Sequence, residues 1–191
     1  MGGGRYKILA TGILFPHRRF EDIIEALALL VRRGYQPTLS IIGDTAASPA
    51  YYEKLKALAE VKGVANRVAF LGIVSESELI HAYHEHDVFV FSNYLQTWGL
   101  APLEAMATGL PVIVSRGAGV HEVLIDHETA ILINPKDPEE LAAAIKEVMD
   151  TPALYEKLSK RGAVFVRSNF SWQRYTQELL HVFEETKKRQ K

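Results

Sequence analysis

Short, strongly apolar runs alternate with longer amphipathic runs along the whole chain. The short runs lie at residues 6–11, 38–42, 67–71, 88–91, 111–114 and 130–133, and most are too apolar to have a solvent-exposed face. This alternation is typical of a parallel sheet with crossover helices. We therefore predict an α/β fold: a doubly wound, Rossmann-like sheet of six parallel strands with both faces covered by helices.

The longer runs predict the helices. Apolar side chains recur at helical spacing in residues 21–33 and 51–62, and these runs end at Gly34 and Gly63. A Ser-Glu-Ser-Glu capping box opens residues 76–86, and residues 100–108 stop before a Gly-Leu-Pro sequence. Three further helices are predicted at residues 138–149, 154–168 and 172–188. The last of these forms a C-terminal helical extension.

Composition excludes several classes of function. The 191 residues contain no cysteine, which rules out thiol nucleophiles and Cys-ligated zinc and fits a reducing, cytoplasmic setting. No stretch approaches the roughly 18 apolar residues of a spanning helix. The net charge of −1 does not suggest a nucleic-acid surface.

The charge is unevenly distributed along the chain. Residues 151–191 carry 9 basic and 4 acidic side chains, whereas residues 1–150 carry 13 and 19. Such a basic segment fits an acidic neighbour or a peripheral contact with an anionic membrane. A solvated helical tail is the simpler interpretation, and the basic run at residues 187–191 then complements a helix C-terminus.

The loops that follow the strands are the expected place for a ligand, because open parallel sheets bind ligands at the C-terminal ends of their strands. Glycine occurs in all five of the first such loops, which span residues 12–19, 43–45, 72–74, 92–99 and 115–119. The helix that starts near Leu100 offers a positive dipole end to an anion. Arg18 and Arg19 suit a diphosphate, but they are equally well explained as surface arginines beside Glu21 and Asp22.

Glu104 lies about one turn into the helix that starts near Leu100. Since helical side chains lean toward the N-terminus, its carboxylate reaches back to the mouth of the site, where it suits a sugar or ribose diol. The alternative is a carboxylate that only stabilises the helix start. Trp98 either stacks on a ligand or wedges its loop against the core. His81 and His84, with His86 nearby, form a weak zinc motif for which a surface role is simpler.

Several ordered motifs resemble the C-terminal domain of family 4 of the retaining glycosyltransferases, which have the two-domain GT-B architecture. The resemblance covers nearly the whole chain. It rests on IIEAL at residues 23–27, IIGD at 41–44, RVAFLG at 67–72, GLAPLEAMATGLPVIV at 99–114, GAGVHE at 117–122 and FSW at 170–172. It implies a nucleotide-sugar-binding domain at residues 1–170, with residues 171–191 as its C-terminal helix and basic tail.

The resemblance also implies roles for individual residues. Glu104 matches the glutamate expected on the ribose hydroxyls, Gly99 and Leu100 match the amide donors, and Ile73 and Val74 match the main-chain contacts to the base. Glu122 lies in the family's glycine-rich loop and helix. The binding residues implied are Gly12, Arg18, Arg19, Ile73, Val74, Thr97, Trp98, Gly99, Leu100, Glu104 and Glu122, and the catalytic candidates are Glu104, Gln96 and Arg18.

Two positions depart from the family pattern. Gln96 stands where the family has its first glutamate, so a charge-assisted hydrogen bond of about 1.5–3 kcal/mol is exchanged for a neutral one of about 0.5–1.5 kcal/mol. Ile13 stands where the family has an arginine, and Arg18 takes the position of the family's lysine. We expect Arg18 and Arg19 to compensate for the missing charge on the leaving diphosphate.

The implied reaction is transfer of a sugar, with retention, from a nucleotide-diphosphate sugar such as a UDP- or GDP-sugar, without a metal or other cofactor. The acceptor site belongs to the family's N-terminal domain, which we expect to be absent from this chain. Closure of two domains normally assembles such sites, so the isolated domain should bind donor weakly and catalyse little.

Two rival functions follow from the same residues. Gln96 and Ile13 would fit a non-catalytic sugar-nucleotide sensor or subunit with a degenerate site. Half of a GT-B sugar phosphorylase or of a non-hydrolysing epimerase is the second rival, but no lysine is placed for a pyridoxal Schiff base and the motif match is poorer.

Overall fold

The computed structural model describes residues 6–189 of the chain, except for the side chains of residues 184, 188 and 189. Six parallel strands form one sheet: β1 (Lys7–Thr11), β2 (Thr38–Ile42), β3 (Val68–Gly72), β4 (Val88–Phe91), β5 (Val112–Ser115) and β6 (Ile131–Ile133). Their order is β3-β2-β1-β4-β5-β6, so the direction of winding reverses between β1 and β4. The predicted doubly wound, Rossmann-like fold is confirmed.

Seven helices connect and flank the strands. They are α1 (Phe20–Arg32), α2 (Pro49–Val61), α3 (Glu76–Glu85), α4 (Ala101–Ala107), α5 (Pro138–Asp150), α6 (Pro152–Asn169) and α7 (Trp172–Arg189). Every predicted helix and strand is present, with ends within two residues of the prediction. The predicted capping box is also present, since Ser75 Oγ accepts from the Glu78 amide and the Glu78 carboxylate accepts from the Ser75 amide. Three short 3-10 turns, at Pro16–Arg18, Ala65–Arg67 and Gly119–Val123, were not predicted.

Two hydrophobic cores lie on opposite faces of the sheet. Alternate residues of β1 enter different cores: Ile8 and Ala10 pack with α1, α2 and α5, whereas Leu9 packs with α3 and α4. The central strands are therefore buried on both faces, which explains why their sequences are apolar throughout rather than alternating.

The edge strand β3 departs from the prediction that helices cover both faces. Its side chains alternate between partly buried and exposed, and Leu71 is 48% exposed. The physical reason is the path of α3, which runs from the end of β3 toward β4 and packs against β1. One face of β3 is left without a covering helix.

Helix α7 has an apolar face that is exposed. Trp172 is 83% exposed, and Tyr175, Leu179, Val182 and Phe183 continue the stripe at helical spacing. The predicted basic tail continues to Gln190 and Lys191, which lie outside the described residues. Within residues 6–189 no helix combines the length and the hydrophobicity needed to traverse a bilayer.

Candidate functional site

The loops after β1 and β4 lie at the point where the strand order reverses, and they are bonded to each other. Ser92, the first residue after β4, is buried, and its hydroxyl donates to the carbonyls of Arg18 at 2.9 Å and Arg19 at 3.0 Å. The Tyr94 amide donates to the carbonyl of His17 at 2.7 Å. Three hydrogen bonds therefore connect the loop after β1 to the loop after β4.

Arg18 is a half-buried cation in the loop after β1. Its guanidinium packs over Gly12, where a built Cβ would lie 3.4 Å from Arg18 Cζ. Burial lowers the pKa of Arg18, and no carboxylate among the described side chains opposes that effect. Its Nε is buried and has no hydrogen-bond partner among the described residues. A desolvated cation in this condition favours an anionic ligand.

Arg19 has a different environment from Arg18. Its Nε and Nη2 donate to the Asp22 carboxylate at 3.0 and 2.6 Å, and its Nη1 donates to Glu21 at 3.0 Å. These bonds raise the pKa of Arg19, and the hydrogen bond that it donates to Asp22 contributes most. Both carboxylates belong to the first turn of α1, so the Arg19 guanidinium is bound at the start of that helix.

Glu104 lies on α4, the helix that follows β4, and β4 is the strand next to β1. Its carboxylate is exposed and accepts a 3.1 Å hydrogen bond from the Tyr83 hydroxyl of α3. Helix α3, which carries Tyr83, packs against β1. Burial, together with the charge of Glu104, raises the pKa of Tyr83 and keeps its hydroxyl a neutral donor. Arg18 thus lies in the loop after β1, and Glu104 lies in the first turn of the helix that follows β4, the strand next to β1.

Tyr83 is a residue of this site that sequence reasoning missed. It occupies an inward position of α3, where an aromatic side chain is most simply interpreted as part of the core, and only its hydroxyl reaches the site. Its partner Glu104 is 21 positions away, so no local motif could have identified the contact.

The backbone at Gly99 and Leu100 leads into α4, whose first residue is Ala101. Gly99 packs on the ring of Phe91 so closely that a Cβ would lie 2.7 Å from the ring, which only glycine permits. Among the described residues, neither the Gly99 nor the Leu100 amide has a backbone hydrogen-bond acceptor. Trp98 is half-buried beside them, and Thr97 is exposed.

Gln96 belongs to a second pair of bonded loops. Its amide donates to the carbonyl of Gly117 at 3.1 Å, and its carbonyl accepts from the Gly119 amide at 2.9 Å. A Cβ on Gly119 would lie 1.9 Å from the Thr97 carbonyl oxygen, so the loops can approach this closely only because residue 119 is glycine. Glu122 is exposed on the 3-10 turn that follows.

The remaining candidates lie further along the same edge. Ile73 is 78% exposed just after β3, and Val74 packs against the core beneath α3 and α4. Ile13 is exposed in the loop after β1. Strand β2 separates β3 from β1, so Ile73 and Val74 lie at the outer side of the site, while Arg18 and Glu104 lie at its centre.

The histidines of α3 are not arranged as a metal site. His81 and His84 are exposed, and His86 turns its Nδ1 to the Ala82 carbonyl at 2.7 Å. Within the part of the chain that the structure describes, no three His, Asp or Glu side chains are grouped to hold a metal ion.

A cavity of about 350 Å³ lies at the opposite end of the sheet from the loops described above. Its lining includes Lys7, Ser40, Arg67 and His86, at or near the N-terminal ends of β1, β2 and β3. Its lining includes neither Arg18 nor Glu104.

Comparison with known proteins identifies the class of the chain. The family model described as Glycosyl transferases group 1 matches residues 2–165. The chain therefore belongs to the glycosyl transferases group 1 family. Its fold is the Rossmann-like half of a GT-B architecture.

Individual relatives are similar over most of this chain but are longer. Mannosylfructose-phosphate synthase of Agrobacterium fabrum is 29% identical over 185 residues, which are 93% of this chain and 40% of that protein. The chain thus spans less than half the length of this curated relative.

Two solved structures are similar in fold. Anabaena HepE in complex with UDP and glucose has a TM-score of 0.87 at 20% identity, and the match covers 95% of this chain and 48% of that one. The C-terminal domain of a group 1 glycosyl transferase, LpcC, from Francisella tularensis has a TM-score of 0.81 at 23% identity, covering 89% of this chain and 88% of that domain.

Proposed function

We propose that this chain is the donor-binding, C-terminal half of a family 4 retaining glycosyltransferase. Two observations carry the proposal. In the loop after β1, a half-buried arginine has no anionic partner among the described residues, and an exposed carboxylate lies at the start of the helix that follows the neighbouring strand β4. This pair lies at the switch point of a doubly wound sheet, where such folds bind their ligands. The solved complex of HepE with UDP and glucose supports a nucleotide sugar as the ligand class.

Each group has a role in donor binding. The Arg18 guanidinium binds the diphosphate, and the amides of Gly99 and Leu100 donate to its oxygens. Glu104 accepts from the ribose hydroxyls, held in place by Tyr83. Arg19 binds no phosphate in this proposal, since its guanidinium is occupied by Glu21 and Asp22.

The residues around Arg18 and Glu104 complete the donor-binding site. The main chain at Ile73 and Val74 contacts the base, and Gln96 contacts the sugar with a neutral amide. Gly12, Thr97, Trp98 and Glu122 line the remaining loops. No cofactor is needed for this chemistry, because the donor carries its own leaving group.

The chemistry assigned to this half is stabilisation of the leaving group. As the bond between the anomeric carbon and the diphosphate breaks, negative charge grows on the diphosphate oxygens beside Arg18 and the two amides. Preorganised donors at such a position lower the barrier because they stabilise charge that develops in the transition state. The acceptor attacks from the face that the diphosphate leaves, so the configuration is retained and this half supplies no nucleophile.

A second domain supplies the acceptor in this proposal. A relative more than twice the length of this chain supports it, and so does the match to an isolated C-terminal domain. This half alone then binds donor weakly and transfers little sugar, because closure of the cleft completes the site.

The proposal is tested by calorimetry with UDP, GDP and ADP and with their glucose or mannose esters. Nucleotides with one of the three bases should bind. Arg18→Ala should lower their affinity by about 10- to 150-fold, because it removes a charge-assisted hydrogen bond of about 1.5–3 kcal/mol. Arg67→Ala is the matched control, because Arg67 is also partly buried and bonds neutral oxygens at the opposite end of the sheet. Equal affinity of the Arg18 and Arg67 variants would overturn the proposal.

A further inference from the structure

We infer that Arg19 is a positioning residue: its ion pairs hold a left-handed backbone turn that places the Arg18 guanidinium at the end of β1. The inference rests on the proposed function, because donor affinity is what the positioning changes. It assigns a role to a side chain that binds no ligand itself.

The backbone at Arg19 has an unfavourable conformation. Its φ of 55° and ψ of 39° lie in the left-handed region, which residues other than glycine rarely adopt. This turn joins the 3-10 turn Pro16–Arg18 to α1 and sets the direction in which the chain enters the helix. Something must hold a non-glycine residue there, since an unsupported loop would relax.

The ion pairs of Arg19 supply that support. The guanidinium binds the Asp22 carboxylate through two nitrogens and Glu21 through the third. Both acidic residues are buried, and Glu21 is further held by the Tyr51 hydroxyl of α2, which also accepts from the Phe20 amide at 3.1 Å. A planar guanidinium fixed at all three nitrogens leaves its own backbone little freedom.

The turn at Arg19 determines where Arg18 lies. One buried hydroxyl, that of Ser92, donates to the carbonyls of both Arg18 and Arg19, so these successive carbonyls must converge. Relaxing Arg19 out of the left-handed region rotates the peptide that joins the two residues and separates the carbonyls. The Arg18 side chain then leaves its place over Gly12.

Three variants of the full chain separate positioning from direct binding. Each is measured by calorimetry against UDP or the nucleotide found to bind, well below its unfolding temperature. Arg19→Ala should lose at least about fivefold in affinity. Arg19→Gly should bind within about twofold of the wild type, because glycine adopts the left-handed turn without the ion pairs. Asp22→Asn should weaken binding, because it loosens Arg19 without touching the site.

The outcomes distinguish this inference from the proposed function. Two results would show that Arg19 binds the ligand directly and would overturn the inference. One is an equal loss of affinity in Arg19→Ala and Arg19→Gly. The other is tighter binding by Asp22→Asn, because a freed Arg19 would then reach the phosphate. Wild-type affinity in all three variants would show that Arg19 only stabilises the fold. If Arg18→Ala itself leaves binding unchanged, the proposed function fails instead. Should both Arg19 variants fail to fold, the direction of change in Asp22→Asn decides.

Discussion

Replacing Gly119 by alanine tests whether the loops after β4 and β5 form one rigid wall of the site. The added Cβ would lie 1.9 Å from the Thr97 carbonyl oxygen, so the loops must separate by about 1.5 Å to reach ordinary contact. Overpacking of this kind costs about 1–3 kcal/mol. Separation also breaks the 2.9 Å bond from the Gly119 amide to Gln96, worth about 0.5–1.5 kcal/mol. The expected destabilisation is about 1.5–4.5 kcal/mol, or about 3–18 °C in Tm for a chain of this size.

The assay pairs thermal unfolding with calorimetric titration of the donor nucleotide. Because the segment from Gln96 leads directly to the Gly99 and Leu100 amides, affinity should fall at least several-fold. Gly34→Ala is the control: an added Cβ there meets nothing within 4 Å, and the residue, with a φ of 90°, lies away from the site. It should lose about 1–2 kcal/mol of stability and no affinity. A Gly119→Ala variant with a Tm within about 2 °C of the wild type and unchanged affinity would refute the reasoning.

Three further predictions follow from individual contacts. Tyr83→Phe removes the hydroxyl that donates to Glu104. Calorimetry should show that donor affinity falls about 2- to 12-fold, with little change in Tm. Unchanged affinity would mean that Glu104 does not depend on Tyr83 for its position. Gln96→Glu should strengthen binding of the nucleotide sugar by about 5- to 10-fold but not that of the nucleotide alone, whereas an equal change in both would place Gln96 away from the sugar. Burial lowers the pKa of His86, so the unfolded chain takes up a proton first and the free energy of unfolding should fall as the pH drops below about 6.5. Urea unfolding at pH 7.5 and 5.5 checks this, since His86→Gln should show a smaller loss at the lower pH than the wild type.

The fold could be predicted because its signals are local. Each central strand is apolar on both faces, and each helix has an amphipathic period with a capping residue or a terminal glycine nearby. The exception was β3, whose outer face is exposed. Its residues are as apolar as those of the buried strands, and only the three-dimensional path of α3 leaves Leu71 uncovered.

The site was harder to predict than the fold because its contacts are not local. Arg18 and Arg19 are neighbouring residues of the same type. They differ in backbone conformation, because Arg19 is in the left-handed region, which residues other than glycine seldom adopt. Nothing in the local sequence indicates that conformation. The contact between Tyr83 and Glu104 joins two helices on one face of the sheet. It depends on how α3 packs against β1 and how α4 packs against β4 and β5. Glu104 itself could be proposed because its position in the first turn of α4 is a local property.

The central claim is that Arg18, the amides of Gly99 and Leu100, and Glu104 line a single nucleotide-sugar site. An NMR titration of the isotopically labelled chain with UDP-glucose tests it most directly, with GDP-mannose as the alternative donor. The account predicts that the largest amide shifts occur at Gly12, Arg18, Gly99, Leu100 and Glu104. Shifts concentrated at the opposite end of the sheet, around the cavity lined by Lys7, Arg67 and His86, or no saturable shifts with either donor, would contradict it.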